Sequence, residues 1–108
     1  MLSMRIERWD ARRDGPLSEA ALRDKVEGLG YAPAMVRAYP AGTVAASQHE
    51  RHESVEAVIR GLIKIVIDGE SAILAAGDIV FVPPGAVRRI EVVGASAATC
   101  LEAGGHVA

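Results

Sequence analysis

The sequence predicts an all-β fold, an antiparallel sandwich or barrel with one short N-terminal α-helix. Three observations predict it. Val and Ile together number twenty, and sixteen of them lie between Val44 and Val93, which concentrates β-branched side chains suited to a pleated, half-buried surface. That region breaks into short runs divided by turn residues, among them Asp68-Gly69, Ala75-Ala76-Gly77-Asp78 and Pro83-Pro84-Gly85. The intervals between runs leave no room for the crossover helices that a parallel sheet needs.

The elements follow in order. Residues 4–9 read as a strand. Leu22, Val26 and Leu29 then recur at i, i+4 and i+7, which predicts a helix over 18–29. Ser18 is its N-cap, Gly28 and Gly30 supply the stop, and the apolar stripe is expected to pack on the outside of the sheet. Further strands are expected over 35–39, 43–48, 55–60, 62–67, 70–74, 78–82, 88–93 and 97–101. Asp68-Gly69 joins two of these as a hairpin, because a type I′ turn needs positive φ at both central residues. The 108 residues form one domain, with an extension over 1–40 and a barrel core over 41–102.

Composition narrows the function classes. Half the residues are apolar, 24% are charged and the mean hydropathy is +0.20, so the chain has enough apolar surface to fold. A net charge of -2 and a pI near 5.9 offer no basic stripe for nucleic acid or an anionic membrane. No apolar run approaches the ~18–20 residues of a membrane span, and Arg5, Glu7, Arg8 and Asp10 stand where a signal peptide would be apolar. A soluble, cytoplasmic protein is expected. Cys100, the sole cysteine, is expected to be a small buried hydrophobe near the end of a strand. The P-loop, the G-x-S-x-G elbow, the dinucleotide-binding glycine pattern and C-x-x-C are missing from the sequence.

Residues 77–88, Gly-Asp-Ile-Val-Phe-Val-Pro-Pro-Gly-Ala-Val-Arg, resemble the second motif of the cupin superfamily, G(X)5PXG(X)2H(X)3N. The first motif, G(X)5HXH(X)3,4E(X)6G, also lays down without a gap from Gly42 to Gly61. The resemblance implies an antiparallel jelly-roll β-barrel. In metal-bearing cupins three imidazoles and a carboxylate face inward, a set suited to divalent iron, manganese, nickel or zinc. Here those positions hold Gln48, Glu50, Ser54 and Arg88, and the motif-two Asn position holds Val92. All four ligand positions depart from the pattern, and an always-protonated arginine repels a cation.

Two function classes follow. The first is a metal-free small-molecule binding or sensing cupin without a cofactor. Gln48, Glu50, Ser54 and Arg88 line its barrel mouth, and Arg88 anchors a small polar or anionic ligand through its planar fork. On this reading Arg88 faces Glu50 as an ion pair that replaces the metal. The second is an enzyme: a metal-dependent oxygenase or isomerase that recruits a divalent transition metal through His52, Glu50 and Glu56, or a metal-free lyase or epimerase with His52 or Glu56 as base. Strand alternation turns His49 outward if Gln48 and Glu50 face in. A homodimer is expected through open strand edges, including the strand around Ile6.

Overall fold

Alternation sets the two faces of each strand. It is clearest in Ile63-Lys64-Ile65-Val66-Ile67, where the three isoleucines are buried and the residues between them half-buried. The computed structural model describes residues 4–48 and 52–105. Among these, nine strands and two helices follow in order: β1 (Arg5–Glu7), α1 (Ala11–Asp14), α2 (Glu19–Gly28), β2 (Met35–Tyr39), β3 (Val44–Gln48), β4 (Ser54–Arg60), β5 (Ile63–Ile67), β6 (Glu70–Leu74), β7 (Ile79–Val82), β8 (Val87–Val92) and β9 (Ala98–Gly104). They pair antiparallel in two sheets, β1-β7-β4-β9-β2 and β3-β8-β5-β6. Val58, Ile63, Ile65, Val80, Ile90 and Cys100 belong to the buried cluster between them, which makes the fold a jelly-roll barrel.

Turn chemistry closes this frame. Asp68 and Gly69 take φ of 50° and 82° and turn β5 into β6, as the hairpin signal predicts. Gly61 sits at φ 92°, and a Cβ there would lie 2.8 Å from the Ala97 oxygen and the Ala98 Cα. Glycine is therefore required at Gly61 for β9 to approach the β4–β5 turn.

Helix α2 starts where Ser18 Oγ accepts the Ala21 N–H at 3.0 Å. Its Leu22 and Val26 are fully buried and belong to one cluster with Val55, Ala57 and Leu101 on the outer face of the five-stranded sheet. β4 is consequently buried on both faces, with Val55 and Ala57 turned toward the helix and Ser54, Glu56 and Val58 in the opposite, inward phase.

Several expectations need correction. A second helix, α1, follows β1, capped by the Asp10 carboxylate, which accepts from the Arg12 N–H. Its charged sequence has no apolar period and so sends no helical signal. Leu29 does not complete the core stripe: α2 ends at Gly28 and Leu29 is the partly exposed C-cap. β1 covers only Arg5–Glu7, and Trp9 turns its indole to donate to the Gly15 oxygen at 2.9 Å. β9 runs past Leu101 to Gly104, and that extension carries a glutamate into the barrel. Among the described residues, no helix is long and apolar enough to cross a membrane.

Candidate functional site

Arg88 lies on β8 in the inward phase of Ile90 and Val92, with only 7% of its side chain exposed. Its Nη1 donates to Glu56 Oε1 and its Nη2 to Glu102 Oε2. Glu56 and Glu102 are direct cross-strand partners on β4 and β9, a placement in which two carboxylates repel. The guanidinium reaches them from the opposite sheet, replacing that repulsion with two charge-assisted hydrogen bonds. Glu56 is fully buried, so it requires such a partner. Tyr39 Oη donates to Glu56 Oε2 at 3.4 Å, and Arg37 Nη2 stands 3.3 Å from Glu102 Oε1. Among the described residues, two guanidiniums thus face two carboxylates.

A cavity of about 710 Å³ opens over this cluster. Its polar lining comes from Arg37, Tyr39, His52, Ser54, Arg88 and Glu102, interleaved with the apolar Met35, Ala45, Ala46 and Ile90. Its size is that of sites for small organic molecules, typically about 300–1,000 Å³. Burial pushes the Tyr39 phenol above its ordinary range. It pushes the Cys100 thiol up to about 12. Both groups therefore stay protonated at neutral pH, Tyr39 as a donor and Cys100 as an inert hydrophobe.

The predicted site residues divide. Ser54 and Arg88 line the cavity, as does the exposed His52. Gln48 ends β3 opposite Val87, and its side chain lies outside the described part of the chain. Glu50 lies outside the described residues, and the expected Glu50–Arg88 pair with it. Glu56 sits in the predicted inward phase but beneath the cavity wall, held by Arg88 and Tyr39. A carboxylate so engaged is poorly placed to ligate a metal beside His52 or to take a proton from a cavity ligand. Sequence reasoning missed Glu102, Arg37 and Tyr39. The signal for Glu102 was its phase, two residues after Cys100 in a strand ended too early; Arg37 and Tyr39 alternate within a strand whose range was predicted correctly.

Metal-bearing cupins hold their ion with imidazoles and a carboxylate, and the donor set here differs. The motif-two imidazole position carries a buried guanidinium whose charge already compensates two carboxylates. Among the described residues, no three His, Cys, Asp or Glu side chains converge as a ligand group. Arg88 and the described residues around it do not fit a divalent cation.

The model of the cupin domain family matches residues 35–104, and the chain belongs to that family. No curated protein matches it. Among solved structures it is similar to a cupin protein from Bacteroides fragilis, at 28% identity and a TM-score of 0.57, over 77% of this chain and 73% of that one. A predicted oxalate decarboxylase from Thermotoga maritima gives 18% identity and a TM-score of 0.64, over 78% and 74% of the two chains. The Cnp3 cupin domain from Schizosaccharomyces pombe gives 17% and 0.64 over 68% of this chain; the match spans only 55% of that one. Likeness at the latter two identities shows the fold alone.

Proposed function

We propose that this cupin binds a small polar or anionic molecule at its barrel mouth without a metal. The observation that carries the reading is the buried Arg88, bridging Glu56 and Glu102 at the position where the family's second motif places an imidazole. A protein cation fills the role of a metal ion by compensating the inward carboxylates, and the cavity above it is lined by donors and acceptors interleaved with apolar surface. Arg88 anchors the site together with Arg37, because both guanidiniums reach the cavity wall. Elemental analysis of purified protein tests the metal half of this reading: less than a tenth of an equivalent of Fe, Mn, Ni or Zn per chain is expected, and one equivalent lost on His52→Ala would overturn it. A thermal-shift screen of small acids, amides and polyols tests the binding half, with stabilisation that disappears in Arg37→Ala as the expected result.

The chain is further proposed to pair as a homodimer in the cytoplasm. Ile6 packs inward against the inner cluster, so β1 offers its backbone edge to a partner and not an apolar face. Light scattering at micromolar concentration should give twice 11.3 kDa; the monomer mass would rule pairing out.

A further inference from the structure

The Glu102 carboxylate is held as a bound acid would be. Its Oε1 stands 3.3 Å from Arg37 Nη2 and its Oε2 accepts from Arg88 Nη2, so two guanidiniums from different sheets hold one planar, two-oxygen group at the cavity wall. Arg88 has a second carboxylate, Glu56, which is fully buried beneath. Glu102 differs from Glu56 in that it faces the cavity with 18% of its side chain exposed, and Arg37 is 55% exposed. We infer that Glu102 is an internal stand-in for the carboxylate of a small organic acid, and that such an acid binds by taking its place between Arg37 and Arg88.

The inference rests on the metal-independent binding reading and names its ligand class. The chemistry is that of exchange: a ligand carboxylate offers both guanidiniums the same two acceptor oxygens, while Glu102 turns toward the open cavity and water. Met35, Ala45, Ala46 and Ile90 would receive the apolar body of the acid. Glu102 is then the specificity-determining residue. Its charge sets the threshold an incoming anion must overcome, and it rejects weakly bound anions by competing for the same donors.

The charge balance gives the test. Among the described residues Arg37 and Arg88 face Glu56 and Glu102, and E102Q removes one negative charge from that group while keeping the side chain's shape. Calorimetric titration with propionate, and with propionamide as its uncharged isostere, is run on wild type, E102Q, R37A and E102Q/R37A. Propionate should bind E102Q about tenfold or more tighter than wild type, with propionamide unchanged, because a nearby like charge has been removed. R37A should lose most of the wild-type propionate affinity, and E102Q/R37A most of the gain. R37A alters an exposed side chain, so it keeps the test open should E102Q fold poorly. Equal binding of both probes by wild type, E102Q and R37A would overturn the carboxylate assignment and leave the binding pocket standing. No binding of either probe by any form would overturn both.

Discussion

The two ends of the space between the sheets are built from the same three strands and carry opposite chemistry. Along β8 the inward residues run Arg88, Ile90, Val92; along β4 Ser54, Glu56, Val58; along β9 Glu102, Cys100, Ala98. Within a few residues each strand passes from polar to apolar. The apolar end is closed by Ile63 and Leu74, both fully buried, and supplies area removed from water. The polar end exchanges hydration for ion pairs, which adds little net stability, because desolvating charges costs about what their attraction returns. Backbone alternation decides which side chains enter the barrel, and the residue type at each inward position decides whether that end is filled by apolar contacts or by ion pairs.

The largest effect should come from breaking the polar end from one side. Glu56→Ala leaves a buried guanidinium with a compensating charge removed and should cost about 3–5 kcal/mol in denaturant-unfolding stability. Replacing Glu56, Arg88 and Glu102 together by Leu, Met and Leu should recover most of that loss while abolishing propionate binding, since the apolar end then extends through the barrel. If the triple variant is as unstable as Glu56→Ala, the polar end contributes to the fold itself.

Alkaline pH probes the boundary between the ends. Burial holds the Cys100 thiol protonated up to about 12, against an ordinary value near 9. The unfolded chain therefore releases this proton first, so stability should be level below about pH 9 and decline as pH rises from there toward 12. Burial of the Tyr31 phenol beside Glu53, which raises it to about 12, adds to the same decline. Cys100→Ala should flatten the slope, and an unchanged slope would place its cause elsewhere.

At the apolar end, Ile65→Val removes one methylene group from a packed core and should cost about 1 kcal/mol by thermal or chemical unfolding. Arg37→Ala should cost least, about 0.5 kcal/mol or less in stability, because its pair with Glu102 is solvent-facing. A stability loss comparable to that of Glu56→Ala would make Arg37 part of the structural cluster and not of a ligand clamp.

Much of the frame was legible in the chain. The 35–39 and 70–74 strands match β2 and β6 in full, because alternation and turn residues are local signals. Ser18 and Asp68-Gly69 act as predicted, since caps and tight turns depend on a few neighbouring residues. The ends of elements were less legible. Helix α1 has no apolar stripe to announce it, and the continuation of β9 beyond Leu101 is set by pairing with β4, where Glu102 meets Glu56.

The candidate site divides along the same line. Residue type and motif spacing alone marked Arg88, with Gln48, Glu50 and Ser54, as departures from the family's ligand set, and a guanidinium cannot take an imidazole's place on a metal. Which carboxylates answer its charge was decided only in three dimensions. Glu56 is 32 positions away and Glu102 is 14 away, and the two become neighbours because β4 pairs with β9 while β8 crosses above them in the other sheet. Spacing along a chain encodes turns and faces, but the partner of a buried charge depends on register between strands and on the packing of one sheet over another. That information exists only once the barrel has closed.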